Sequence, residues 1–211
     1  FDQIPLQVHL FKHGFGFVYV EEEGFEDVNP QDVLTDVSRR IAEATVRDSF
    51  DQLRDVVRLE SASGKITREF LETHAEILNV PQVDEMSMAV STIIRDIVNR
   101  SVGLVDVFAQ VTESTYMYRH AVNVVSLSVL LARQFGYTNR QLRELALGAL
   151  LHEVGKICLG DDMLVPEHMI DDSQADLYRE YPVYGFILMH NTNPALKAER
   201  LSILHHREWQ D

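Results

Sequence analysis

The chain has 211 residues, 45% of them hydrophobic and 25% charged, a balance that excludes a disordered or low-complexity protein and allows a real buried core. Its 33 acidic against 19 basic side chains leave a net charge of −14, a field that repels a nucleic-acid polymer but not a small anion held locally. No apolar run approaches the roughly 18 residues that span a bilayer, and the opening FDQIPLQVHL lacks the basic start of a signal peptide. A cytoplasmic protein with no membrane partner is therefore expected. The single cysteine, Cys158, cannot form an internal disulfide and reads as a small buried side chain in KICLG. Phe1 is not an initiator methionine and the last residue falls within a motif, so the chain is expected to be part of a longer protein.

From Ile4 to Val20, apolar residues alternate in IPLQVHLF and recur in FGFVYV, with Lys12-His13-Gly14 between them, which predicts a β-hairpin. The acidic stretch EEEGFEDVNP breaks that pattern as a loop or linker. From Gln31 to Glu60, Val33, Leu34, Val37, Ile41, Phe50, Leu53 and Val57 recur at three- and four-residue intervals, as an amphipathic helix requires, and SASGK ends it. Further helical patterns run through ITREFLETHAEIL and then, after Pro81, through MSMAVSTIIRDIVNRSVGLVDVFAQV, with Gly103 a weak point. Beyond Thr115 the chain reads as helical almost throughout. Helices are expected over 116 to 135, after Thr138-Asn139, after Asp172-Ser173 and from about Pro194. The fold class is thus mainly α. A small α+β module over residues 1–80 and a connecting helix over 81–110 precede a helical bundle over 111–211.

Chemistry is concentrated in LLHEVGKI, residues 150–157, where His152 and Glu153 follow an apolar helix and precede Gly155 and Lys156. A carboxylate has two oxygens and can bridge cations, while a neutral imidazole binds one of them. The bland alternative is a solvated helix end with Gly155 as its C-cap. His120, in YMYRHAVNVV, lies 32 residues earlier, far enough for a helix, a turn and a returning helix to bring the two imidazoles together. YREYPVYG and the terminal ILHHREWQD place further candidates on later helices.

In this order and at these separations the segments resemble the HD-GYP family of the HD phosphohydrolase superfamily. Its pattern is a histidine in a Tyr-Arg-His-like context, His-Asp-x-Gly-Lys, His-Pro-x-x-Gly, and His-His-Glu-x-x-Asp-Gly. The resemblance implies an HD-type helical bundle that carries metal, usually iron or manganese, and hydrolyses cyclic di-GMP in bacterial signalling. Carried over to this chain, it makes His120 and His152 metal ligands, puts Glu153 in place of the usual bridging aspartate, and makes Lys156 the contact to the scissile phosphate.

The pattern departs from the family at the other positions. Tyr181 stands for the histidine of His-Pro-x-x-Gly, and a phenol, with an ordinary pKa of about 10, suits only a strongly Lewis-acidic ion such as ferric iron. Tyr116 stands where members with a third metal supply a carboxylate, which argues against a three-metal site. The tail aligns in two ways. Either His205 and His206 form the family pair, with one residue too many before Asp211, or Glu208-Trp209-Gln210-Asp211 matches Glu-x-x-Asp and the pair becomes His206 and Arg207. The second register needs no insertion and puts a permanent cation at a ligand position, where it would repel metal but could grip a phosphate oxygen.

Two functions follow from the resemblance. One is a phosphodiesterase acting on cyclic di-GMP at an altered centre of one or two ions, divalent or ferric, held by His120, His152, Glu153 and His206 with Tyr181 and His205 as additions. The other is a catalytically degenerate module that binds cyclic di-GMP or docks a signalling protein. A homodimer through the 82–110 helix is a further expectation. His9, His13, His74, His168 and His190, and the pairs Asp161-Asp162 and Asp171-Asp172, read as structural or solvated groups.

Overall fold

The computed structural model describes residues 31–61, 63–78, 83–99, 105–106 and 115–208. The predicted hairpin over 4–20 and the acidic stretch after it lie outside the described residues. Within residues 31–80 the described chain carries helices and one two-residue strand, so it belongs to a mainly helical fold, and the expected α+β module is not supported.

Helix α1 (Asp36–Glu60) starts where the Thr35 hydroxyl accepts from the Ser38 amide at 3.2 Å, and it buries Ala42, Val46, Phe50, Leu53 and Val57 along one stripe. Asp96 accepts from the Thr35 amide at 2.7 Å and so fastens this start to helix α3 (Val83–Asn99). Between them lie α2 (Arg68–His74) and a 3-10 turn at Ala75–Leu78. The helix read from 82 onward does not run to 110 as one piece. It ends at Asn99, and strand β2 (Val105–Asp106) pairs in parallel with β1 (Gln31–Asp32). Ser101 and Gly103 are weak helix formers, and the β-branched Val105 favours the extended state.

Helix α4 (Tyr116–Gln134) turns into α5 (Asn139–Leu151) through Gly136, whose φ of 73° is the left-handed conformation that a helix C-terminus favours. Thr138 then opens α5 with a reciprocal capping box to Gln141, as Thr138-Asn139 predicts. One short turn, α6 (Lys156–Leu159), and three 3-10 turns lead to α7 (Ala175–Tyr178), α8 (Tyr181–Thr192) and α9 (Lys197–His205). Pro182 sits in the first turn of α8, where its missing N–H costs nothing.

A single cluster of buried apolar side chains runs from Val33 to Ile203, so α1–α3 and α4–α9 share one core. Across the α1–α4 contact, Arg39 donates to Asn123 at 2.8 Å, and Glu43 pairs with both Arg39 and Arg119. No described helix is long and apolar enough to cross a membrane. Cys158 is fully buried and its thiol is pushed up to about 12 by desolvation, as expected for a packing residue.

Candidate metal centre

Five chain segments converge on one point. His120 lies one turn into α4, His152 and Glu153 directly follow α5, Lys156 opens α6, Tyr181 opens α8, and His206 follows α9. Because α5 returns along α4, the Nε2 atoms of His120 and His152 come to 3.2 Å, and a Glu153 oxygen lies 4.0 Å from His120. Donor atoms of His120, His152 and Glu153 all lie within 4.8 Å of one another. The His206 ring stands 5.0 Å from that of His152, nearly at right angles.

The ring orientations are fixed from behind. His152 Nδ1 lies 2.7 Å from the Ala149 carbonyl and His206 Nδ1 lies 2.8 Å from the Ile203 carbonyl. A carbonyl only accepts, so both Nδ1 atoms carry the proton and both Nε2 lone pairs face the centre, the tautomer that a metal needs. His206 Nε2 has already found a donor, the Tyr181 hydroxyl at 2.7 Å.

Glu153 is buried, and its two oxygens differ. Oε1 accepts from the Tyr116 hydroxyl at 3.2 Å and from the Lys156 ammonium, whereas Oε2 is buried with no hydrogen-bond partner. A buried carboxylate with one unpartnered oxygen, in a group whose donor atoms lie within 4.8 Å of one another, is a site that a cation would satisfy. The residues present therefore fit a metal ion. Lys156 is fully buried, with its Nζ 4.9 Å from the ring centres of Tyr116 and Tyr178 and 5.0 Å from that of Tyr181. Three aromatic faces and one carboxylate hold the ammonium where water does not reach.

The charge balance follows from this enclosure. Burial pushes the Glu153 carboxyl up, but Lys156, His152 and His120 outweigh it and hold it below the usual range. Burial drives the Lys156 ammonium down against the pull of Glu153. Desolvation lowers His152 to about 4 and also depresses His120 and His206, so all three are neutral and able to bind metal at neutral pH. Burial and then the Glu153 charge push the Tyr181 and Tyr116 hydroxyls up, so both are donors and not phenolates.

His205 turns outward, half exposed, with Nδ1 2.7 Å from Glu208. It reaches only the rim of an open cleft of about 520 Å³ lined by His120, His152 and His206. Arg207 lies over the Tyr181 ring at 5.7 Å and donates from Nη2 to Glu167 at 2.6 Å, while its Nη1 is buried without a partner. His206 and Arg207 thus both lie against Tyr181. Gly155 is not a left-handed C-cap. Its φ is −65°, and a Cβ there would lie 2.0 Å from the Tyr181 carbonyl oxygen. The glycine lets α8 press against the metal-side turn.

Of the remaining candidates, Asp161 pairs with Arg58 and Arg54, Asp162 with Lys65 and Gln174, and His190 lies 2.7 Å from Arg200. His74 stacks on Phe70. These are structural contacts away from the centre. A second cavity of about 560 Å³, between α1 and the 157–165 segment, contains none of the histidines and is lined by the paired Arg54, Asp51 and Asp161. Tyr178 and Glu167 lie outside the motifs, and the fold sets Tyr178 over Lys156 and Glu167 against Arg207. The clustering of tyrosines around the histidine and lysine motifs was the one signal for their role.

Fold and site together define a helical domain with a histidine–carboxylate centre built at a His-Glu-x-Gly-Lys turn. Over 97 residues, 46% of the chain, it is 31% identical to a cyclic di-GMP phosphodiesterase of Pseudomonas aeruginosa, 23% of whose length is covered. Over 94 residues, 44% of the chain, it is 27% identical to a cyclic di-GMP phosphodiesterase of Thermotoga maritima, with 26% of that protein covered. The chain spans about a quarter of the length of these curated relatives. No family model and no solved structure matches it. The two similarities support the relationship to the HD-GYP family that the motifs carry.

Proposed function

We propose that this chain is an HD-GYP-type metal-dependent phosphodiesterase domain that acts on cyclic di-GMP through an altered, slow centre. The carrying observation is the convergence of His120, His152 and Glu153, with Glu153 Oε2 buried and unpartnered. His120, His152 and Glu153 would hold the ion. An ion there, iron or manganese by the nature of the ligands and the family, would polarise a phosphoryl oxygen and make water nucleophilic at neutral pH.

The other groups have definite tasks under this reading. Lys156 keeps Glu153 ionised and, with the Tyr116 hydroxyl, fixes its rotamer. Lys156 is sealed beneath the carboxylate, so it serves the ligand set and not the phosphate directly. Arg207, with its unpartnered Nη1 held against Tyr181, would grip a phosphate oxygen of the nucleotide. His205 would border the entrance to the cleft.

A second reading is a module that binds cyclic di-GMP or a signalling protein without hydrolysing it. The observation in its favour is Tyr181, which puts a phenol on the His206 lone pair where the family has a histidine. The test is His152→Ala, assayed for metal content and for conversion of cyclic di-GMP to a linear product. Under the first reading both fall to background while nucleotide binding weakens. Wild-type protein that carries metal yet never turns over leaves the second reading, and turnover that survives the loss of metal sinks the mechanism.

A further inference from the structure

We infer that Tyr116 is the positioning residue of the centre: its ring sets the plane of His120 and its hydroxyl sets the Glu153 carboxylate, so one side chain aligns two of the groups that would hold the ion. The inference rests on the metal reading above and deepens it.

The inward histidines are held in two different ways. His152 and His206 each have Nδ1 on a main-chain carbonyl, at 2.7 and 2.8 Å. Among the described residues, the contacts of His120 are instead with the Tyr116 ring, the His152 ring and the Glu153 carboxylate. Tyr116 opens α4 and His120 follows it by four residues, the spacing that makes two side chains neighbours on one helix face. Their rings are stacked, 5.0 Å apart and within 10° of parallel.

A ring stack suits what His120 has to do. His152 carries its proton on Nδ1, so its Nε2 accepts, and His120 donates to it from Nε2 at 3.2 Å. An ion shared by the two imidazoles would replace that hydrogen bond, with the His120 proton then on Nδ1, and the ring must keep its plane while Nε2 changes partner. Stacking fixes the plane and occupies neither nitrogen.

The same side chain reaches the carboxylate. The Tyr116 hydroxyl donates at 3.2 Å to Glu153 Oε1, the oxygen that also accepts from Lys156, and the Tyr116 ring centre lies 4.9 Å from the Lys156 Nζ. Ring and hydroxyl belong to one rigid, buried group, so the His120 plane and the Glu153 oxygen are set relative to each other.

The experiment is titration of the metal-free protein with Co²⁺, followed by calorimetry and by the visible absorption of the bound ion, for wild type, Tyr116→Phe and Tyr116→Met. Tyr116→Phe keeps the stack and loses the hydroxyl, and is expected to bind Co²⁺ roughly two- to tenfold more weakly with the wild-type spectrum. Tyr116→Met fills the space without a ring, and is expected to bind about 10–100-fold more weakly with a shifted spectrum. Urea unfolding of the metal-free forms separates this from a merely structural role, which would lower stability and leave the Co²⁺ affinity and spectrum of the folded protein unchanged. A folded Tyr116→Met protein with wild-type affinity and spectrum would overturn the inference, as would a Tyr116→Phe protein that loses as much as Tyr116→Met. Where Tyr116→Met does not fold, Tyr116→Phe decides: weaker binding with the wild-type spectrum supports the inference, and unchanged affinity overturns it. Wild-type protein that takes up no Co²⁺ would overturn the metal reading itself, and this inference with it.

Discussion

At the residue scale the site depends on a buried ion pair whose members fail if separated. Lys156 is fully buried and Glu153 nearly so, and removing one partner leaves the other as an uncompensated charge. Glu153→Gln should cost about 3 kcal/mol in urea unfolding of the metal-free protein, and the double change Glu153→Gln with Lys156→Met should recover most of it. An additive double mutant would show that the pair is not energetically coupled. Titration gives a second test. His152, facing Glu153, His120, His206 and Lys156, has its pKa lowered to about 4 by burial, so below its ordinary value the unfolded chain binds more protons than the folded one. Stability of the metal-free protein should therefore fall as pH drops from about 6.5 to about 4, by at most about 1.4 kcal/mol per unit for this histidine. Glu153, whose folded value is also depressed, adds stability that is present above its unfolded pKa and is lost at still lower pH. In chelator-treated samples His152→Gln should flatten the 6.5-to-4 part of the profile, and an unchanged slope would assign it to other groups.

At the element scale the close approach of α8 to the turn before α6 sets how near Tyr181 comes to Lys156. Gly155 and Gly185 make it possible, since a Cβ on Gly155 would sit 2.4 Å from the Gly185 nitrogen as well as against the Tyr181 carbonyl. Backbone atoms cannot swing aside as a side-chain tip can, so Gly155→Ala should destabilise by at least about 2 kcal/mol and lower metal affinity as α8 is pushed out. Circular dichroism melts combined with metal counting would separate this from a local effect: a stable variant with the wild-type ion content would contradict the packing account. The periodicity that predicts α1 and α4 matches a one-sided buried face on each, and the Thr138 capping box marks the start of α5. It overran at 99–110, where a two-residue pairing to Gln31–Asp32 competes with weak helix formers. A tertiary partner far away in the chain decides such a case, and no local pattern reports it.

At the scale of the whole molecule, α1 is not an appendage. Leu53 and Val46 are fully buried in the same cluster that includes Val125, Leu151 and Leu188. Leu53→Ala should cost roughly 2–5 kcal/mol, and should do so in one cooperative transition that also carries the histidine site. Two separate unfolding steps, with the metal centre surviving the first, would show instead that α1–α3 form an independent unit.

The sequence by itself determined the helical class of the chain and the segments that carry chemistry, since apolar spacing and a His-Glu-x-Gly-Lys turn are local patterns. It also singled out Tyr181 and Arg207 as departures, because they are changes of residue type at motif positions. Only the tertiary structure decided what those departures do. That Lys156 lies beneath Glu153 in a cage of Tyr116, Tyr178 and Tyr181, that Tyr181 closes on His206, and that His205 faces outward while His206 faces in all depend on the rotation of α9 and on the contact at Gly155. These are distances between elements far apart in the chain, set by how side chains fill a shared core, and a one-dimensional pattern carries no record of them.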